Sequence, residues 1–258
     1  MLTFVGLGLY DERSVTIRGR DAIRAADRVF AEFYTSHLAG ATIEELEAYH
    51  DAEIEVRDRA GVERDPEPIL AAAADGDAVF LTAGDPMIST THVDLRLRAI
   101  ERGIDTQGVH GTTAQSAAAG LSGLQNYRFG KATTLPFPDS HGAAGVPDSV
   151  IGTIDANRDG GLHTLVYLDI KAERGAYMTA DRGAELLADA YGGDVLAVAI
   201  ARAGSDDPVV AADRLAALAD RELGDPLHLL VVPGDLHHVE AEALAALAGA
   251  PAELLDPV

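Results

Sequence analysis

Short apolar runs of β character alternate with helix-period patterns along the whole chain, and this alternation restricts the fold more than any other feature. In the first half the apolar runs cover 2–7, 28–33, 53–56, 78–82 and 105–110. Helical patterns lie between them at 14–26, 42–49, 66–74 and 91–102. In the last of these, Val93, Leu95, Leu97 and Ile100 supply the apolar positions, with Arg96 and Arg98 interleaved. Parallel neighbouring strands need a crossover, which a helix provides. The alternation therefore predicts an α/β fold with a mostly parallel sheet.

The second half varies the theme. Strands are expected at 132–135, 163–169, 195–200 and 228–232, with helices at 180–191, 211–223 and 236–247. The stretch 136–148, rich in proline and glycine, reads as a loop. A chain of 258 residues suffices for one large domain or two small ones. The segment "HGTTAQSAAAG" at 110–120 joins a turn to small residues, which places the expected boundary there: an N-terminal α/β domain over 1–112 and a C-terminal one over 113–258.

Composition removes several function classes. There is no cysteine, so disulfides, thiolate metal sites and a cysteine nucleophile are excluded. Acidic residues number 42 against 20 basic ones, for a net charge of −22. Nucleic-acid binding rests on neutralising phosphates, so no nucleic-acid partner is expected. Lys131 and Lys171 are the only lysines. Acidity with so little lysine reads as a surface adapted to a salty cytoplasm, a property of solvation rather than of fold. The longest apolar run, 195–201, is far short of the roughly 20 residues that span a bilayer. No stretch reads as a targeting segment, so a cytoplasmic location without a membrane partner is expected.

The turn "VGLGLYDE" at 5–12 poses the main functional question. Gly6 and Gly8 match the first two glycines of a dinucleotide-binding turn, but Asp11 stands at the third position and Glu12 follows. Glu32, about twenty residues on, stands near where a ribose-binding acid would lie. Two carboxylates at a helix N-terminus would repel a pyrophosphate. A cofactor with a cationic centre and no phosphate suits the turn better. The turn is also compatible with a plain tight bend.

Further stretches occur in a fixed order: "FAEFYTS" (30–36), "LTAGDPMISTTH" (81–92), "GLHTLVYLDIKAE" (161–173), "ARAGS" (201–205) and "GDPLHLLVVPGDLHHVEAE" (224–242). Together with the first turn they closely resemble the archaeal diphthine synthase family, part of a wider class that includes the tetrapyrrole methylases. The resemblance extends from residue 1 to about 251 and is weakest at 137–160. A glycine turn with G-D-P recurs across the wider class, whereas "AEFYTS", "TTH", "LDIKAE" and "LHHVEAE" are more specific.

The resemblance implies two α/β domains of the tetrapyrrole methylase type, with the cofactor in the cleft between them and a homodimeric assembly. It implies an S-adenosyl-L-methionine-dependent methyltransferase that releases S-adenosyl-L-homocysteine. The implied substrate is translation elongation factor 2, in which one histidine carries a 3-amino-3-carboxypropyl group. The amine would be trimethylated to give diphthine, a precursor of diphthamide. The implied cofactor contacts are Leu9, Asp85, Ile88, Thr113, Ala114, Leu168, Ala203 and His228. In the G-D-P turn, Ala83 and Met87 depart mildly from the family pattern.

Each of these residues also has a plain reading. Asp85 precedes a proline, as turn-forming and capping aspartates often do. Leu9, Ile88, Leu168 and Ala203 suit any core, and Thr113 can cap the following helix. The resemblance puts His228 at the adenosine end of the site through its backbone. His237 and His238 suggest a metal pair, but neighbours on a helix point apart, so no metal is expected. Methyl transfer from a sulfonium needs alignment more than acid catalysis, and no catalytic base is assigned. Asp11, Glu12 and Glu32 are candidates by position only, and Tyr34 is a candidate to face the growing cation. The rival readings are a tetrapyrrole methyltransferase of the precorrin type, an NAD-dependent oxidoreductase and a non-catalytic binding module of the same fold.

Overall fold

The computed structural model describes residues 1–140 and 145–256. The expected loop at 136–148 lies partly outside them. The chain divides into two units, Met1–Thr113 with Ala172–Arg174, and Ala114–Lys171 with Gly175–Val258.

The first unit runs β1 (Leu2–Gly6), α1 (Ile17–Ala25), β2 (Arg28–Glu32), α2 (Ile43–His50), β3 (Ile54–Val56), α3 (Arg59–Glu63), α4 (Glu67–Asp75), β4 (Ala78–Thr82), α5 (His92–Glu101) and β5 (Thr106–Val109). Its sheet has the order β3-β2-β4-β1-β5, with every pairing parallel. Successive strand residues point to opposite faces. Phe4, Phe30 and Phe80 accordingly enter one buried cluster with Ile69, Leu70 and Leu95. Val5, Ala31 and Leu81 enter another with Leu7, Ile23 and Leu46. Coverage of both faces explains the unbroken apolar runs. Thr16 caps α1 by accepting from Gly19 N at 3.0 Å. Thr42 and Glu45 form a reciprocal capping box on α2.

The second unit runs α6 (Ala114–Ser122), β6 (Thr133–Leu135), α7 (Asp148–Asp159), β7 (Thr164–Leu168), β8 (Ile170–Lys171), β9 (Ala176–Tyr177), α8 (Ala180–Tyr191), β10 (Leu196–Ala201), β11 (Val209–Arg214), α9 (Leu215–Ala219), β12 (His228–Val232) and α10 (His238–Ala248). Its main sheet, β11-β10-β12-β7-β6, is mixed: β6 and β7 are parallel and the other neighbours antiparallel. β8 and β9 form a separate small hairpin.

Some local expectations change. The helix expected at 211–223 is β11 followed by the short α9. Val209 and Val210 favour a strand, and the segment pairs with β10 from Ala201↔Val209 to Leu196↔Arg214. α6 occupies the small-residue stretch that follows the turn, next to Thr113, and Ala118, Ala119 and Ser122 bury one of its faces. α7 was not expected, since Gly152 and its β-branched residues weaken the helical signal. Burial of Val150, Ile154 and Asn157 at helical spacing holds it. Among the described residues no helix is long and apolar enough to cross a membrane.

Candidate functional site

In the first unit β1 and β4 are neighbours whose connections leave in opposite directions, β1 toward β2 and β4 toward β5. In an open parallel sheet such a reversal leaves a crevice at the carboxyl ends of the strands, where ligands bind. Three loops meet there. Gly8 and Gly84, both with φ of +76°, pair through Gly8 N to Gly84 O at 3.1 Å and Gly84 N to Gly8 O at 2.7 Å. A Cβ on Gly6 would lie 2.5 Å from Gly84 O and 2.7 Å from Gly111 N, so only glycine lets these backbones approach. A Cβ on Gly84 would meet nothing within 4 Å, which leaves bare backbone there.

Asp85 ties two of the loops together. It is buried, and its Oδ1 accepts from Met87 N at 2.8 Å. Its Oδ2 accepts from Gly111 N at 3.2 Å and lies 2.8 Å from the Nδ1 of the exposed His110. The turn reading of Asp85 is thus realised, with an added link to the loop after β5. Leu9 is half-buried in the loop after β1, and Ile88 is exposed after β4. Thr113 directly precedes α6. Leu9, Asp85, Ile88 and Thr113 therefore all follow the carboxyl ends of the three adjacent strands β4, β1 and β5.

The first turn does not lead straight into a helix. Asp11 instead caps a 3-10 turn at Glu12–Ser14, and α1 begins at Ile17. Asp11 Oδ2 accepts from Arg13 Nη2 at 2.6 Å and Nε at 2.9 Å. Its charge is matched locally, so of the two acids Glu12 is the one left to bias the turn toward a cation.

In the second unit Leu168 ends β7, Ala203 follows β10 and His228 begins β12. The antiparallel register Ala201↔His228 and Leu229↔Tyr167 puts all three at one end of the adjacent strands β10, β12 and β7. Leu168 is buried, while Ala203 and Ala114 pack on the rim of the apolar cluster around Val198 and Val231. The His228 ring is fully engaged. Its Nδ1 accepts from Ala180 N at 3.0 Å, so its Nε2 carries the proton and donates to Asp225 O at 2.9 Å. Burial lowers its pKa. The ring thus caps the start of α8, a role invisible in the sequence.

The positional base candidates are committed elsewhere. Glu32 is fully buried and accepts from Tyr34 N and Thr35 N, each at 3.1 Å. The Arg59 guanidinium lies 4.9 Å from the centroid of the Tyr34 ring, so one face of that ring already carries a cation. His237 lies at the N-cap of α10, not within it, and its ring stands 4.0 Å from that of His238. His237 Nδ1 accepts from Val239 N at 3.4 Å.

Sequence reasoning missed a buried network in "LHHVEAE". Glu240 accepts from His237 N and Gln125 N, each at 2.8 Å, and from His163 Nε2 at 2.9 Å. Burial opposes its ionisation, but these donors outweigh it and keep its pKa below the ordinary value. His163 Nδ1 in turn accepts from Gly234 N at 3.1 Å. The signal available in the sequence was an acid three residues after His237, which is capping-box spacing.

Residues 1–219 match the family model for tetrapyrrole (corrin/porphyrin) methylases. The chain is 71% identical to a diphthine synthase from Halorubrum lacusprofundi, over 99% of this chain and 100% of that one. It is 64% identical to a diphthine synthase from Haloarcula marismortui, over 98% of this chain and 100% of the relative. A crystal structure of a diphthine synthase superposes with a TM-score of 0.92 at 39% identity, covering 100% of this chain and 99% of that one. The chain therefore belongs to the tetrapyrrole methylase family, among its diphthine synthases, and is a methyltransferase.

Proposed function

We propose that this chain transfers methyl groups from S-adenosyl-L-methionine to the amine of a 3-amino-3-carboxypropyl-histidine on translation elongation factor 2, giving diphthine, and that it acts as a homodimer. The observation that carries the reading is 71% identity to a diphthine synthase over essentially the whole of both chains. The proposed cofactor contacts are Leu9, Asp85, Ile88, Thr113, Ala114, Leu168, Ala203 and His228.

The donor set fits an adenosyl sulfonium better than a diphosphate. The loops after β1 and β4 offer backbone groups, the bare Gly84 and the apolar Leu9 and Ile88. The basic side chain in the first turn, Arg13, is held by Asp11. When bound, the sulfonium supplies a methyl group for in-line displacement. The protein's part is to hold the amine in line and exclude water, which can supply much of the rate enhancement. Asp85 contributes by fixing the loop after β4 against Gly111. The amine must be neutral to attack. Asp11 is paired and Glu32 is enclosed, so water can take the proton without a dedicated base.

Incubation with S-adenosyl-L-methionine and elongation factor 2 carrying the adduct, read by intact mass, tests the proposal. The expected result is addition of up to three methyl groups, because the trimethylated nitrogen has no lone pair. Factor with unmodified histidine should gain none. Methylation of a tetrapyrrole in place of the modified factor would overturn the reading in favour of a precorrin-type methyltransferase.

A further inference from the structure

The chain has almost abandoned lysine, yet it keeps one where the side chain is nearly enclosed. Two of its 20 basic residues are lysines. Lys131 is exposed, whereas the Lys171 side chain is only 16% exposed. Lys171 lies in β8, paired with Ala176 of β9. Its ammonium sits 2.6 Å from Asp139 Oδ1 and 5.0 Å from the centroid of the Phe137 ring. Asp169 braces this corner. Its Oδ2 accepts from Phe137 N at 3.0 Å and Ser140 Oγ at 3.2 Å, and its Oδ1 accepts from Ile170 N at 2.9 Å.

Everywhere else but at these two positions the chain meets its need for positive charge with arginine. Arginine is a rigid fork, while lysine is a compact point charge on a flexible stem. An ammonium has three donors, and Asp139 Oδ1 occupies one. The Asp139 side chain is 66% exposed. Exchanging so exposed a carboxylate for another from a ligand costs little, because the ammonium stays paired throughout. Lys171 follows Leu168 by three residues, a span of at most about 10 Å of extended chain.

We infer that Lys171 binds the carboxylate of the substrate's aminocarboxypropyl group and thereby places the amine for methyl transfer. The inference rests on the function proposed above. In that substrate the carboxylate and the amine are attached to the same carbon. A cation that holds one therefore fixes the position of the other. The Phe137 ring and the Asp169-braced backbone give the ammonium a defined starting place.

Two substrates separate this role from a purely structural salt bridge: elongation factor 2 carrying the adduct, and a semisynthetic form whose adduct bears a primary carboxamide in place of the carboxylate. Lys171→Met should raise KM for the carboxylate form by roughly 10- to 150-fold, the range for losing a charged hydrogen bond. Its kcat/KM for the carboxamide should match that of the wild type within a factor of about three. Lys171→Arg keeps the charge and guards against misfolding of the first variant. It should raise KM for the carboxylate form alone. Equal losses on both substrates, or no loss on either, would overturn the inference and leave the proposed function standing. Failure of the wild type to methylate either substrate would instead overturn the proposed function, and the inference with it.

Discussion

Glu32 Oε1 and His92 Nε2 face each other across 3.4 Å, and both side chains are fully buried. His92 Nδ1 lies 3.2 Å from Pro86 O, which can only accept, so a neutral ring carries its proton there. The Nε2 lone pair then faces a carboxyl oxygen that also accepts from Thr35 Oγ1. Burial raises the pKa of Glu32 and lowers that of His92 to about 4, so both groups are biased toward their neutral forms. Glu32→Gln preserves a donor toward His92 and should change unfolding free energy by less than about 1 kcal/mol. His92→Leu removes the acceptor and should cost about 1–3 kcal/mol. Denaturant titration in molar potassium chloride measures both. A glutamine variant less stable than the leucine variant would contradict this protonation state.

His50 should govern part of the acid sensitivity. It is fully buried at the end of α2, and neither ring nitrogen has a hydrogen-bond partner among the described residues. Burial, followed by the nearby Arg24 and Arg20, lowers its pKa to about 4. The unfolded chain binds this proton near pH 6.5 and the native chain does not. Stability from this group is therefore present above about pH 6.5 and lost as pH falls toward about 4. His50→Phe should melt nearer its pH 7 temperature at pH 5 than the wild type does. Identical acid losses in the two proteins would exclude His50 as a contributor.

Asp85→Ala should affect binding and folding together. Met87 N, Gly111 N and His110 all lose the same acceptor. Calorimetry should show S-adenosyl-L-homocysteine binding weakened roughly 10- to 150-fold, with a lower melting temperature. Normal affinity with early melting would confine Asp85 to the loop.

Gly111→Ala tests the close approach of the three loops. The added Cβ would meet Gly84 O and lie 3.0 Å from Gly6 O, both backbone atoms that cannot rotate away. Overpacking of this kind costs about 1–3 kcal/mol. Binding of S-adenosyl-L-homocysteine should weaken as well. Unchanged stability and affinity would mean that the backbones separate freely.

Stability should rise with salt. A net charge of −22 makes the native surface self-repelling, and ions screen that repulsion. Thermal melts from millimolar to molar potassium chloride should shift upward. A flat or falling midpoint would refute a surface adapted to salt.

The sequence by itself determined the order of most elements and the character of each sheet face. Runs such as Leu2–Gly6 and Ala78–Thr82 are apolar because both faces of their strands are covered, and that pattern is local. The ordered motifs also pointed to the family, because their spacing is a property of the chain alone. Pairing was left to the tertiary structure. Val209–Arg214 is a strand because β10 offers it a free edge, which no local period records. Glu32 meets His92, Asp85 meets Gly111 and the His228 ring meets Ala180 N across long stretches of chain. A buried polar group needs a partner wherever the fold provides one, and hydrophobic periodicity specifies which face is buried but not which distant group will satisfy it.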